Sequence, residues 1–522
     1  MARINTNIAS LIAQRNLAVA NADLGVHLER LATGVRLNRG ADDPAGLIVS
    51  ERLRSELKGL GQGVKNSERA SSVISTTESS LAEASDLLNS IKALVVEAAN
   101  TGGFSDTEVE ANQRQIDSAI DSITRISNTA SFADLKLLNG ELGYTLSGVS
   151  APDITKATIN AAQFLNQPDI KVNVEVTQSA QQAQLFLRGD TNDNTVFTPS
   201  AAGPGIVPAT TTLRLAGPDG LQELTFISGT TYDQIVSAIK TLGAATGIDA
   251  VRVSATDISS GIRIFSTQYG SKPFVSVETV GASGIFDQGV LRLKNDGDIA
   301  LYDPLNAAIV EPASRDLGKD VVALINGALG TGRGLTISSK TPQLDVDLQL
   351  TSAFASAVTG TPSSFRITGG GSLYQLGPVV NASQQVSVGV QSIAASRLGG
   401  TLNTVAAGGT AFEFLSSLKS GGANSLAGKG FINASRIIET SIDEISTLRG
   451  RLGAFERNTL QTNVRSLQSA IENVTSASSK IRDADFAAET SALSRAQILT
   501  NAGTSVLATA NASSQTVLQL LG

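Results

Sequence analysis

Proline is spread so unevenly along this chain that its distribution limits the fold more than any other feature. Of 13 prolines in 522 residues, Pro44 stands alone near the N-terminus. The other 12 fall between Pro152 and Pro378, and none follows. A proline inside a helix removes a backbone hydrogen bond and clashes with the preceding turn. The two ends are therefore free to form long helices, while the middle is broken by turns. At this length more than one domain is expected.

Apolar spacing agrees with that division. Ile4, Ile8 and Ile12, then Leu17, Leu24, Leu28 and Leu31, recur at helical intervals until Gly34–Gly40 interrupts them. Asp42-Asp43-Pro44 reads as a new helix start, an Asp cap followed by Pro at the first helical position. From there Leu53, Leu57, Leu60 and Val64, then Ile74, Leu81, Leu88, Ile91, Val95 and Ala98, keep a heptad-like seam. Ser105 with Glu108 is a capping box that opens a further helix. Across 132–149 the pattern changes, and Asn139-Gly140 suggests the turn of a β-hairpin. Near the C-terminus, Ile438 to Phe455, Val464 to Ile481, and Ile498, Ala502, Val506, Ala510, Val517 and Leu521 continue helical stripes to the last residues.

The middle, 150–400, predicts strands with short helices. Leu213–Leu215, Leu224–Phe226, Val251–Val253 and Ile262–Ile264 predict strands around a helix at Tyr232–Thr241. Ser314–Ile325 predicts a second helix, followed by strands at Leu335, Leu344 and Phe365, with Gly369–Gly371 as a loop. The predicted fold class is a multidomain α plus α+β chain. It has a long coiled-coil-like helical bundle from both termini, a β-hairpin, and a β-rich central insertion domain.

Chemistry-bearing patterns are sparse. With no Cys and a single His (His27), disulfides, thiolate metal sites and cysteine nucleophiles are excluded. A catalytic triad would rest on His27 alone. The Gly428-Lys429-Gly430 stretch lacks the Ser/Thr of a phosphate loop. Gly330, Gly332 and Gly334 lack the last spacing of a dinucleotide turn and are placed after the predicted helix. Asp190, Asn192 and Asn194 begin like a calcium loop but lack its Gly and final Glu. No catalytic, cofactor or metal residue is assigned, and no enzyme activity is expected. A net charge of −7 argues against nucleic-acid binding.

The ends differ from ordinary soluble helices. Residues 1–22 carry only Arg3 and Arg15 as charges, and 491–522 only Arg495. The N-terminus has no apolar signal core, so no cleaved secretion signal is expected, and the polar-rich tail is no membrane helix. Aliphatic seams with so little charge are poor solitary helices; they read as segments that pair with each other and with further copies. The absence of Cys fits export as an unfolded chain.

Three runs carry a resemblance: Ala2-Arg-Ile-Asn-Thr-Asn7, Leu31-Ala-Thr-Gly-Val-Arg-Leu-Asn-Arg-Gly-Ala-Asp-Asp-Pro-Ala-Gly-Leu47, and Ile481-Arg-Asp-Ala-Asp-Phe-Ala-Ala-Glu-Thr490 with the following Leu493–Ala508. Together they resemble bacterial flagellin over 1–145 and 430–522. Residues 210–282 are similar to a small β-α-β insert of some flagellins and hook-associated proteins. The resemblance implies a homopolymeric filament subunit for swimming motility, secreted by type III export to the extracellular flagellum. Implied partners are other copies, the export apparatus and a chaperone, the filament cap and hook-junction proteins, with no membrane insertion.

The implied organisation is a core helix 1–43 pairing with 483–522, shell halves 44–178 and 385–482, and a variable outward domain 179–384. Core packing would fall to Ile4, Ile8, Ile12, Leu17, Leu24, Leu28, Leu31, Ile498, Ala502, Val506, Val517 and Leu521. Two alternatives stay open: a hook–filament junction protein, and a filament subunit whose outer domain is an adhesin or binds carbohydrate. A helix motif read by a vertebrate innate receptor in some flagellins falls here on Leu88–Val96. Ser90 and Ala93 replace its Arg and Glu, and Lys92 keeps one charge.

Overall fold

The structure is a computed structural model. It describes all residues except 1–5, 101, 104, 165–166, 188–206, 208–209, 255–260, 281–289, 295–307, 359–360, 405–409 and 520–522. In chain order the helices are α1 Ile8–Thr33, α2 Pro44–Ala98, α3 Asp106–Thr129, α4 Tyr232–Thr241, α5 Gly243–Thr246, α6 Ser352–Ser356, α7 Phe431–Phe455, α8 Gln461–Arg482 and α9 Phe486–Gln519. The proline-poor ends thus hold the long helices, and most of the strands lie in the proline-containing middle. The chain divides into two compact units, 1–72 with 374–385 and 453–522, and 73–373 with 386–452.

In the first unit the helix ends follow local chemistry. Asn7 accepts a hydrogen bond from the Ser10 amide at 3.0 Å to start α1, and Gly34, at φ +71°, closes it through Arg30 O. Asp43 Oδ1 accepts from the Gly46 amide at 2.9 Å, so Asp43 caps α2 with Pro44 in its first turn. Asp42 instead ties down the preceding loop, accepting from the Asn38 and Arg39 amides. Asp485 Oδ1 accepts from the Ala487 and Ala488 amides and starts α9. A π-helical turn, Glu456–Leu460, precedes α8; sequence spacing did not anticipate it.

In the second unit, Ser105 and Glu108 form the expected capping box. Ile116, Ile120 and Ile123 make the buried stripe of α3. Ion pairs Lys92–Glu439 and Glu78–Arg449 link α2 to α7. Two antiparallel β-assemblies follow. One stacks the sheet containing Ile170–Gln178, Ser363–Gly370 and Tyr144–Ser147 on the sheet containing Thr336–Lys340, Leu344–Leu350 and Ile154–Ala162. Val172, Val174, Ile159, Val346, Leu348 and Phe365 fill its core. The other packs Gln182–Leu187, Ile248–Arg252 and Ile262–Tyr269 with Thr211–Gly217, Gly220–Phe226 and Phe274–Val280 around Tyr232, Ile235 and Ile239 of α4. Residue 179 falls between the strands Ile170–Gln178 and Gln182–Leu187.

Several expectations need correction. Ser314–Ile325 is not a helix but two strands, Arg315–Leu317 and Val322–Ile325, whose burial alternates with period two. Between them Gly318 passes the backbone just before the strand Gln182–Leu187 so closely that a Cβ would lie 2.4 Å from Gln181 O. The Gly330–Gly334 stretch consequently follows a strand and forms strand pairs itself. Gly369 and Gly370 close the strand Ser363–Gly370 opposite Thr145 and Tyr144 instead of forming a loop.

Asn139-Gly140 is not a hairpin turn. Asn139 Oδ1 accepts from the Glu141 amide, and the next strand, Tyr144–Ser147, pairs with Ser363–Gly370. The local hairpin instead pairs Phe132 with Leu135 through Ala133 and Asp134, both at positive φ. Ala is a poor residue for that geometry, which hid the turn. The Asn-Gly pair that does turn a hairpin is Asn326-Gly327, both at positive φ, between Ile325 and Ala328.

Candidate assembly surface

The first unit pairs α1 antiparallel with α9. Asn7 Nδ2 donates to Ala510 O at 2.9 Å and the Ser10 hydroxyl to Asn511 Oδ1 at 2.8 Å, while His27 meets Glu489 at the other end. Ser10, Ala13 and Ala20 are buried, and Leu17, Leu24, His27 and Leu31 on the same face are half-buried. These positions alternate by three and four, a coiled-coil seam. The α9 side answers with Glu489 and Ala496 buried, and Leu493, Thr500, Gly503, Leu507 and Ala510 half-buried. Small residues set the spacing: a Cβ on Gly503 would lie 3.2 Å from Leu17 Cδ1.

The seam leaves a second set of aliphatics outside. Ile8, Leu11, Ile12, Val19, Val26 and Leu28 on α1 are exposed, as are Ile498, Leu499 and Val506 on α9. Among the residues singled out from sequence, Leu17, Leu24 and Leu31 lie on the intrachain seam. Ile8, Ile12, Leu28, Ile498, Ala502 and Val506 lie off it in solvent. Val517 belongs to α9, without a described side chain, and Ile4 and Leu521 lie outside the described residues. So does the Asp190–Asn194 stretch.

One polar cluster interrupts the seam. Glu489 is 8% exposed. Its Oε2 lies 2.5 Å from His27 Nδ1, and its Oε1 accepts from Arg30 Nη1 at 3.1 Å. An ionised carboxylate can only accept, so Nδ1 carries the imidazole proton. Burial raises the Glu489 pKa, but the hydrogen bonds and charges of His27 and Arg30 outweigh it and hold the carboxyl below its ordinary range. Sequence reasoning gave His27 no partner and missed this pairing. The available signal was that Glu489 and Arg495 are the only charges in the 34 residues of α9.

In the second unit, Ser90 and Ala93 are exposed on α2, and the Ser90 hydroxyl donates to Asp86 O. Lys92 is engaged by Glu439 at 3.0 Å, while Ile91 and Val95 are buried. Among the described residues no group of acidic, His or Cys side chains could hold a metal. No helix there is long and apolar enough to cross a membrane.

Comparison with known proteins places these helices. The family model for the bacterial flagellin N-terminal helical region matches residues 4–142, and that for the C-terminal helical region matches 435–521. Flagellin of Salmonella typhimurium is 28% identical over 530 residues, covering 99% of each chain. B-type flagellin of Pseudomonas aeruginosa is 28% identical over 571 residues, and flagellin B of Helicobacter pylori 25% over 550, each again covering 99% of both chains.

Proposed function

The chain belongs to the bacterial flagellin family, and from that premise we propose how it builds the flagellar filament as a structural subunit. In this reading, residues 1–43 with 483–522 form the filament core. The helices within the flanking segments 44–178 and 385–482 form the surrounding shell, and the β-assemblies of the middle face outward. The subunit is exported through the flagellar type III channel. Outside the cell it adds to its own copies, between hook-junction proteins at one end and the cap at the other.

The observation that carries this reading is the division of labour on α1 and α9. Small residues and half-buried leucines such as Leu17, Leu24, Leu493 and Leu507 close the intrachain seam, while a second set of aliphatics, Ile8, Leu11, Ile12, Ile498, Leu499 and Val506, stays in water. Contiguous exposed apolar side chains mark interaction surfaces. Burying Ile8, Leu11, Ile12, Ile498, Leu499 and Val506 against neighbouring copies removes apolar area from water at about 25 cal/mol per Å². A head-to-tail contact that does not close into a ring propagates as a helix.

Seeded polymerisation of Val506→Asp tests this directly. The substitution leaves the intrachain seam untouched, so monomer helicity by circular dichroism should match the parent. Filaments should be absent by electron microscopy. Filaments of normal length from Val506→Asp would remove α9's outer face from the assembly surface.

A further inference from the structure

The chain enters and leaves the second β-assembly through two short links. The strands of that assembly all fall within 182–317, so one link joins Gln178 to Gln182 and the other Leu317 to Val322. Two links alone would let one assembly swing on the other. In this chain the links are paired: the Gln181 amide donates to Lys319 O at 2.9 Å and the Lys319 amide to Gln181 O at 3.0 Å. Tyr269, on a strand of the second assembly, packs half-buried against the core of the first.

Asp320, on the second link, bonds to both sides at once. Its Oδ1 accepts from the Gly334 amide of the first assembly at 2.7 Å and from the Ser271 amide of the second at 3.0 Å. Its Oδ2 accepts from the Ser271 hydroxyl. Burial raises the Asp320 pKa, but these bonds and the charge of Arg333 outweigh it and hold the carboxyl below its ordinary range. The acceptor is therefore charged at neutral pH, and charge-assisted bonds are about twice as strong as neutral ones. The backbone closes on the carboxylate as well. A Cβ on Gly270, at φ +112°, would lie 2.6 Å from Asp320 Oδ1 and 2.8 Å from Gly334 Cα. Only glycine lets bends of the two assemblies come that near.

We propose that Asp320 interlocks the two β-assemblies, so that they turn as one rigid body and the second has no freedom to swing on its links. Without the carboxylate, the Gly334 and Ser271 amides lose their shared acceptor, and nothing charged ties one assembly to the other at this joint. In a filament subunit the second assembly then keeps one orientation on the first in every copy.

The test uses the full chain, whose lack of Cys makes labelling specific. Ser364→Cys and Lys240→Cys place one spin label on an exposed site of each assembly. Double electron–electron resonance on the labelled monomer should give a single narrow distance. Asp320→Ala should broaden that distribution by about twofold, and Ser271→Ala, which removes only the hydroxyl bond, by less. Circular dichroism and thermal melting confirm that both variants keep their folded strands. A broad distribution in the labelled parent would overturn the proposal. So would a folded Asp320→Ala chain that melts lower but keeps the parent's width, because the carboxylate would then add stability without fixing the joint.

Discussion

His27, the only histidine in the chain, donates its Nδ1 proton to Glu489 across 462 positions of sequence and so joins the two terminal helices. Arg30 holds the second oxygen of the same carboxylate. The pairing sits on a seam otherwise made of Ala, Ser, Gly and Leu, where any unsatisfied charge is costly.

Acid should loosen this pairing. Glu489 is held below its usual value of 4.5, burial being outweighed by its two partners. A carboxylate with a depressed folded pKa contributes stability that is fully present above the unfolded value and lost as pH falls through the folded one. Helicity of the monomer, followed by circular dichroism, should therefore fall below pH 4.5 more steeply in the parent than in Glu489→Gln, which cannot titrate there. At neutral pH the variant should be less stable by about 1–3 kcal/mol. Superimposable acid profiles would show that Glu489 contributes nothing to α1–α9 pairing.

Three glycines on one helix should respond differently to the same substitution. A Cβ on Gly61 of α2 meets nothing within 4 Å, so Gly61→Ala should stabilise by about 0.5–1 kcal/mol through helix propensity. At Gly63 a Cβ would lie 2.9 Å from Leu376 O, and at Gly59 2.9 Å from Pro378 Cβ. Gly63→Ala must push the 374–385 segment away and should destabilise by about 1–3 kcal/mol. Urea denaturation measures both, and equal gains at Gly61 and Gly63 would show that the segment does not need that close approach.

What could be read from sequence was whatever depends on period. Proline placement and three-four spacing located α1, α2, α3 and α9, and alternation located the strands near Leu213, Ile262 and Leu344. Two strands were taken for a helix at Ser314–Ile325 because short apolar runs look alike in both periods; only pairing to distant strands decides between them. The turn at Ala133-Asp134 puts Ala at a positive φ that it tolerates poorly, so composition gave no warning. On α1, spacing found the helix and part of its inner face: Leu17, Leu24 and Leu31 lie on the intrachain seam with Ser10, Ala13 and Ala20, whereas the equally bulky Ile8, Ile12 and Leu28 lie off it. Large aliphatics signal burial somewhere, and within a single chain that place is empty.

Recognition by the innate receptor should be weak. Ser90 and Ala93 offer neither the guanidinium nor the carboxylate that the resembling motif carries, and Lys92 is already paired with Glu439. Arg makes forked, stacked contacts that neither Ser nor a point charge reproduces. In a reporter-cell assay the monomer should activate far less than a motif-bearing flagellin. Ser90→Arg combined with Ala93→Glu should raise the response. Potent activation by the unaltered monomer would reject this carry-over.

The claim at the centre of this account is that subunits join through α1 and α9. Electron microscopy of seeded polymerisation, run on the full chain and on a chain ending at residue 485, tests it most directly. The account predicts long filaments from the full chain and none from the shortened one, whose second unit should stay folded by circular dichroism. Long filaments grown from the chain that lacks α9 would contradict it.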